Sequence, residues 1–235
     1  MKALLLAAGY GTRLGAITKC CPKCMVRVGN ETILDHWLYK LDRLGVTEFI
    51  INTHYLAEQV EEYISRHPLR DKIVLCYEPI LLGTAQTVLS HIDVLRRSTC
   101  FIVHVDNFCD DNLFNFVLAH ESRPIGTVMS MLTFNTSTPE QCGIVEVDDM
   151  NILIDFYEKQ KSPPSNKANG AVYIVSGGFF DLLERLHIVN NDFSNGIIPN
   201  LLGKVFCNHT DQYYEDIGTP ESLKRANEFH LGKIK

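Results

Sequence analysis

The chain has 235 residues, of which 46% are hydrophobic and 21% charged, the balance of a globular protein able to bury one substantial core. Its formal net charge of −6 excludes a general nucleic-acid binder and makes any local cluster of cations informative. Eight cysteines show no paired spacing of a disulfide framework, and the apolar start Ala3–Ala8 is too short for a signal h-region or a membrane span, so a cytoplasmic protein with reduced thiols is expected.

Lys2–Ala8 reads as a strand and runs directly into Gly9-Tyr10-Gly11-Thr12-Arg13-Leu14. Cations follow at Arg13, Lys19, Lys23 and Arg27. A strand that stops at a glycine-rich turn leaves backbone N–H groups aimed at one place, and glycine lets a ligand approach the backbone closely. With cations nearby, the expected ligand is a polyphosphate. The dinucleotide fingerprint fails, because Gly15 falls one residue late and no helix signal precedes about Glu31. The P-loop fails for lack of a Gly-Lys-Ser/Thr end. What remains is a long loop that wraps a nucleoside triphosphate, with Arg13 and Lys23 as separate clamps. Cys20, Cys21 and Cys24 in this loop lack a second Cys/His pair at ligand spacing and read as free thiols rather than a zinc site.

Strand and helix patterns then alternate. Ile33, Leu34, Trp37, Leu38, Leu41 and Leu44 recur at helical spacing and Gly45 ends that helix. Glu48–Asn52, Ile73–Tyr77 and Cys100–Val105 read as strands, and Leu56–Ser65, Thr84–Leu95 and Leu113–His120 as helices. Such β-α units predict right-handed crossovers and a mainly parallel sheet covered on both faces, with ligands beyond the carboxyl ends of the strands. From Thr127 the pattern shifts toward β. Thr127–Phe134, Gly143–Val147, Leu153–Tyr157 and Ala171–Val175 read as strands, with a hairpin turn at 148–151 and a loop at 162–166. Gly178–Leu186 and Ile197–Leu202 read as helical, Val205–Cys207 and Tyr213–Tyr214 as a last strand pair. A helix over Glu221–Phe229 is entered with Thr219 as N-cap and Pro220 at the first helical position. The organisation expected is one α/β domain over 1–235, with a nucleotide-binding half at 1–125 and a β-rich half at 126–235.

Several positions carry chemistry. Asp106 ends an apolar run, where a carboxylate facing a polyphosphate loop can hold Mg²⁺. Asp216 lies between a strand and a helix and is a second candidate for the same ion. Lys159 can hold a second phosphate, and Glu158 and the Asn169 amide can meet sugar hydroxyls. His104 reads as a satisfied core histidine.

The ordered set Gly9-x-Gly-Thr-Arg-Leu, Pro22-Lys23-x-Met-Val, Glu78-Pro79 with Leu82-Gly83-Thr84-Ala85, Val105-Asp106, Cys142-Gly143, Glu158-Lys159, Asn169-Gly170-Ala171-Val172-Tyr173 and Asp216-x-Gly-Thr-Pro-Glu resembles the sugar-1-phosphate nucleotidyltransferases. It is most similar to their mannose- and heptose-1-phosphate guanylyltransferase branch. The resemblance runs from Met1 to about Ala226 and suggests a short member with no C-terminal β-helix extension. It implies a Rossmann-like nucleotidyltransferase fold and nucleotide contacts from Leu6, Ala8, Gly9, Gly11, Thr12, Arg13 and Lys23, with Glu78, Gly83 and Thr84 around the base. It further implies Asp106 and Asp216 on Mg²⁺, Gly143, Glu158, Lys159 and Asn169 on the sugar phosphate, and Arg13, Lys23 and Asp106 as the catalytic set. Three departures stand out: Ala16 and Val105 where the pattern has Pro and a small residue, and Gln160 rather than Pro after Glu158-Lys159. None removes a charged group that the chemistry needs.

The reaction implied is in-line attack of a sugar-1-phosphate oxygen on the α-phosphorus of a triphosphate. A phosphate monoester is largely dianionic near neutral pH, its second pKa being about 6, so no general base is needed. A Glu78 carboxylate facing the base would accept from guanine N1–H and N2–H₂, ranking GTP first and CTP second. The expected product is a GDP-sugar for surface polysaccharide (capsule or lipopolysaccharide). The alternatives are the same chemistry with UTP, dTTP or CTP and another phosphorylated acceptor, and a catalytically silent regulator that binds nucleotide sugars. Expected partners are the triphosphate and the sugar 1-phosphate, with no nucleic acid and no membrane. Oligomeric state is left open, a homodimer among the options.

Overall fold

The computed structural model describes residues 1–233. The described chain folds into two compact units that interleave along the sequence: residues 1–81, 103–110 and 213–233 form the first, and residues 82–102 and 111–212 the second.

The first unit begins with β1 (Lys2–Leu6), followed by a loop with single 3₁₀ turns and a short ribbon of β2 (Arg27–Val28) and β3 (Glu31–Thr32). Helix α1 (Ile33–Arg43) starts where the Thr32 hydroxyl accepts from the Asp35 amide, 3.0 Å. Ile33, Leu34, Trp37, Leu38 and Leu41 form its buried face. It ends in a Schellman arrangement, with Val46 N–H on the Leu41 carbonyl and Gly45 N–H on that of Asp42. Strand β4 (Glu48–Thr53), helix α2 (Ala57–Ser65) and strand β5 (Ile73–Tyr77) follow. The three main strands pair in parallel in the order β1-β4-β5, with Leu6 level with Asn52 and Thr53 level with Tyr77. The near-continuous apolar sequences of β1 and β4 are buried on both faces, whereas β5 lies at the sheet edge with Val74 and Tyr77 exposed.

The chain then enters the second unit through α3 (Thr84–Ser90) and α4 (Ile92–Leu95). The sequence pattern predicts one helix here; it breaks at His91, whose Nδ1–H bonds the Thr87 carbonyl at 2.8 Å and competes with the backbone ladder. Strand β6 (Cys100–His104) carries the chain back to the first unit, where Val105 N–H bonds the Leu6 carbonyl at 3.2 Å. Strand β7 (Asn107–Cys109) follows, too short to show a periodicity.

Helix α5 (Phe114–Glu121) opens the longer part of the second unit. Strands β8 (Met129–Asn135), β9 (Gly143–Val147), β10 (Leu153–Glu158) and β11 (Lys167–Val175) are joined by antiparallel pairing, β8 to β11, β11 to β9 and β9 to β10. Helix α6 (Gly177–Leu183), a π turn and a 3₁₀ turn lead to β12 (Val205–His209), which pairs in parallel with β8. The core of this unit is aromatic, with Tyr173 stacked on Phe193 at 4.6 Å and Phe179 and Phe180 fully buried.

The chain closes in the first unit with β13 (Tyr214–Asp216) and α7 (Pro220–Lys233). The expected pairing of the last two strands does not form. Strand β13 runs antiparallel to β7, placing Asp216 opposite Asn107, a partner that neighbour-to-neighbour reading of the chain could not supply. The expected cap of the last helix is present and reciprocal: Ser222 N–H bonds the Thr219 hydroxyl at 3.2 Å, and Thr219 N–H bonds the Ser222 hydroxyl at 3.1 Å. Among the described residues, no helix is long and apolar enough to cross a membrane.

Candidate active site

In the first unit the site is built at the carboxyl ends of parallel strands, the usual place for ligands in such sheets. Leu6 and Ala8 are buried at the end of β1, and beyond them the chain turns out through Gly9, which has open space where a side chain would lie. Gly11 has φ +66°, and a Cβ there would meet Thr18 Cγ2 at 2.9 Å and Lys23 Cβ at 3.1 Å. Only glycine satisfies both constraints. The Thr18 hydroxyl bonds the Gly11 carbonyl at 2.8 Å and fastens the loop across its base.

Thr12, Arg13 and Leu14 form one 3₁₀ turn beyond Gly11. Lys23 starts another, entered through Pro22. The two cations sit in different surroundings. The Arg13 side chain is 57% exposed and its Nη2 lies 3.7 Å from Asp216 Oδ2. That of Lys23 is 12% exposed, and its Nζ bonds Asp106 Oδ2.

The two carboxylates come from neighbouring strands. Asp106 follows β6, and its carbonyl accepts from Ile217 N–H at 2.8 Å. Asp216 ends β13, one register step away. Burial pushes the Asp106 carboxyl upward, but the Lys23 ammonium and His104 outweigh it and hold the group below the usual carboxylate range. Thus Arg13, Lys23, Asp106 and Asp216 are brought together in this unit as two opposite-charge pairs. Carboxylate oxygens are the donors Mg²⁺ takes, and this ion keeps several waters and binds through one or two carboxylates plus phosphates. The pair therefore fits the ion. No cluster of three or more His, Cys, Asp or Glu placed to hold a metal occurs among the described residues.

Glu78 lies just past β5 and is 4% exposed. Its Oε1 accepts from Asn52 Nδ2 at 2.9 Å, while Asn52 Oδ1 accepts from Ala7 N–H at 2.7 Å. The carboxylate is turned into the protein, so the preference for guanine argued from a carboxylate facing the base has no exposed carboxylate to rest on.

Two features escaped the sequence reading. Asn52 looked like the end of a strand; its position level with Leu6 is visible only in the register. Gly218 lies under Arg13, where a Cβ would meet Nη2 at 2.7 Å and Cζ at 2.9 Å. The Gly-Thr-Pro signal could be read as a helix entrance, not as a bed for a guanidinium.

In the second unit, Gly83 and Thr84 stand at the start of α3. Ala85 N–H bonds the Asn191 carbonyl at 2.8 Å, and the Thr84 hydroxyl accepts from Phe193 N–H at 2.7 Å. Gly143 starts β9 opposite Glu158, with the Phe156 ring and the Glu158 carboxylate occupying the space of a side chain. Lys159 is exposed, has φ +48° and pairs with Glu158 at 3.2 Å. Asn169 sits at a bulge in β11, where its Oδ1 accepts from Ala171 N–H at 2.8 Å and its Nδ2 donates to the Tyr173 hydroxyl at 2.7 Å. Gly143, Glu158 and Lys159 thus fall at one end of the β9–β10 pair, and Asn169 on β11.

The loop thiols differ from one another. Cys20 is exposed, Cys21 half-buried and Cys24 buried, and burial pushes the Cys24 thiol up to about 12. It is un-ionised at neutral pH and a poor nucleophile.

The chain is similar to the catalytic subunit beta of a mannose-1-phosphate guanylyltransferase from Dictyostelium discoideum, with 26% identity over the whole chain and 66% of that protein. It is also similar to the bifunctional protein GlmU of Methanococcus aeolicus, with 30% identity over the whole chain and 56% of that protein. The chain therefore spans between about half and two-thirds of the length of these relatives. Its fold matches the crystal structure of a putative glucose-1-phosphate thymidylyltransferase from Bacillus anthracis, at a TM-score of 0.84 and 24% identity, covering 97% of this chain and 94% of that one. The family model for nucleotidyl transferases matches residues 2–233, and the chain belongs to that family.

Proposed function

We propose that the protein transfers a nucleoside monophosphate, GMP from GTP, to the phosphate of a sugar 1-phosphate, mannose or heptose 1-phosphate, releasing pyrophosphate. The observation that carries this reading is the pairing of Lys23 with Asp106 and of Arg13 with Asp216 beside the Gly9–Gly11 turn. That arrangement provides cations for a triphosphate and carboxylates for its metal ion, and no Ser/His or Cys/His nucleophile is required. The guanine preference and mannose rest on the guanylyltransferase among the relatives, and heptose on the motif resemblance alone.

In this reading Asp106 and Asp216 would hold Mg²⁺, which would supply charge neutralisation at the reacting phosphates. Backbone around Leu6, Ala8, Gly9, Gly11 and Thr12 cradles the triphosphate. Arg13 and Lys23 leave their carboxylate partners for phosphate oxygens and stabilise the charge that grows on the departing pyrophosphate. Gly83 and Thr84 belong to the base side. Gly143, Glu158, Lys159 and Asn169 hold the acceptor: the lysine its phosphate, the others its hydroxyls. Catalysis is then positioning plus charge neutralisation, since the acceptor dianion is already a nucleophile.

The test is pyrophosphate release from GTP, UTP, dTTP, CTP and ATP, each against mannose, heptose, glucose and N-acetylglucosamine 1-phosphates, with and without Mg²⁺. The reading expects the fastest turnover with GTP and one of the first two sugars, and none without a divalent ion. Clear preference for UTP or dTTP overturns the guanylyl assignment, and no turnover with any pair overturns transfer itself.

A further inference from the structure

A buried hydrogen-bonded relay crosses the carboxyl ends of three neighbouring strands in the first unit. Glu78, past the end of β5, accepts from the Asn52 amide near the end of β4 at 2.9 Å. The other end of that amide accepts at 2.7 Å from Ala7 N–H, the first residue past β1. Both side chains are 4% exposed. The orientation of the amide is forced, because turning it over would set its NH₂ against a backbone N–H and its carbonyl against a carboxylate.

The place of this relay matters more than its strength. Ala7 N–H is the point where β1 stops pairing through backbone and the chain turns out toward Gly9. A side chain takes the N–H there, so the direction of departure depends on how Asn52 is held. The same short segment fastens the loop twice more. His54 Nδ1–H donates to the Glu78 carbonyl at 2.7 Å, which leaves Nε2 to accept from the Tyr10 hydroxyl at 2.8 Å. The Tyr55 hydroxyl donates to the Lys19 carbonyl at 3.1 Å.

We propose that Asn52 and Glu78 are positioning residues for nucleotidyl transfer, the Glu78 carboxylate acting through Asn52 on the start of the Gly9–Arg13 loop rather than on the nucleotide base. The inference rests on the proposed transfer reaction. It predicts that the identity of the base is indifferent to the charge on Glu78. The donor–acceptor sense of the relay, by contrast, controls turnover with every nucleotide alike.

The experiment compares wild type, Glu78→Gln, Asn52→Asp and the double variant. Each is measured for kcat and KM with GTP, UTP, dTTP and CTP, and for the rise in Tm when each triphosphate is added with Mg²⁺. In Glu78→Gln an amide oxygen still accepts from Asn52, but as a weaker partner. A uniform fall in kcat of about 3- to 10-fold is expected, with the ratio between nucleotides held within about twofold. In Asn52→Asp two buried carboxylates face each other, and a fall of about 100-fold in kcat is expected, with KM for the sugar phosphate unchanged. In the double variant the new amide donates to the new carboxylate, which still accepts from Ala7 N–H. Activity should return to the level of Glu78→Gln.

A change of about tenfold or more in nucleotide preference in Glu78→Gln overturns the proposal, as does failure of the double variant to recover. If Asn52→Asp does not fold, these two results still decide. Wild type that binds triphosphate, seen as a rise in Tm, but transfers nothing overturns the transfer reading alone. The loss and rescue of that rise across the variants then decides the relay, equal rises in all of them counting against it. No turnover and no rise in Tm overturns both.

Discussion

The two compact units use their polar side chains differently. In the first, four charged groups at the strand ends pair with one another: Lys23 with Asp106, and Arg13 with Asp216 at 3.7 Å. In the second, Asn169, expected at the sugar phosphate, and Thr84, expected near the base, are tied to their own scaffold. Asn169 spends its oxygen on Ala171 N–H and its NH₂ on the Tyr173 hydroxyl, and the Thr84 hydroxyl receives Phe193 N–H. The Arg13–Asp216 pair is half-exposed and cheap to exchange for a stronger partner, since solvent screens it, whereas the Lys23 ammonium is nearly buried and screened less. Bonds that close a bulge are not cheap to exchange. In the proposed reaction the first unit trades these partners for a polyphosphate, while the second keeps its bonds and presents a fixed surface.

Loss of Lys23 should break the comparison most clearly. Lys23→Ala removes the buried cation while Arg13 stays in place, and kcat/KM is expected to fall by about 10²–10³, the size associated with one preorganised donor. Steady-state pyrophosphate release measures it, and a near-wild-type rate removes Lys23 from the catalytic set.

Gly218→Ala tests the other pair more gently. The added methyl would stand 2.7 Å from Arg13 Nη2, so the guanidinium must move off Asp216. An increase of about tenfold in KM for the triphosphate is expected with a smaller change in kcat, because an exposed arginine can recover part of its contact. Unchanged KM would mean that Arg13 does not lie across Gly218 when nucleotide is bound.

The second unit should answer differently to Asn169→Ala. Both bonds at the bulge are lost, and unfolding in urea should show a destabilisation of about 1–3 kcal/mol. KM for the sugar phosphate should rise while KM for the triphosphate stays. A rise in the triphosphate KM alone would assign Asn169 to the other substrate.

The difference between the units also explains what could be read from the sequence. Elements with a strong period were legible nearly to the residue: Ile73–Tyr77 and Gly143–Val147 match the strands found, and the Thr219-Pro220 entrance is capped as its residues demand. The loop was legible as a turn out of β1, and Gly11 takes the positive φ of +66° that such a turn reserves for glycine. What stayed hidden depends on register and on distant pairing. Strand β11 begins at Lys167, four residues before the strand start expected at Ala171, because the bulge at Asn169 interrupts the alternation and Asn-Gly resembles a turn. Nothing in one chain says that Asp216 will lie opposite Asn107 or that Asn52 will lie level with Leu6. Whether the Glu78 carboxylate faces a base is not legible from its type. Its direction is fixed by Asn52, 26 residues earlier.

A half-buried histidine of the first unit, His36, and a buried one of the second, His120, give the smallest effect and compare the stability of the units directly. His36 is held near 3, by burial first and by the Lys40 charge, and His120 near 4, by burial first and by Arg123. Both are therefore neutral in the folded protein at pH 5, whereas an unfolded histidine titrates near 6.5. Between these values the unfolded chain binds protons that the folded one refuses. Stability is full above about pH 6.5 and falls as pH drops toward 4, by about 1–2 kcal/mol per histidine at pH 5 once solvent screening is allowed for. Urea midpoints at pH 7.5 and pH 5 measure the slope for wild type, His36→Gln and His120→Gln. Each variant should lose about that share of the acid sensitivity, although each begins less stable at pH 7.5, because His36 bonds the Cys109 carbonyl and His120 the Ser130 hydroxyl. If only one variant flattens the slope, the unit holding that histidine is the one whose opening limits stability in acid. If neither does, the acid loss belongs to the carboxylates of the charged pairs, and the trade of partners at the strand ends governs stability as well as activity.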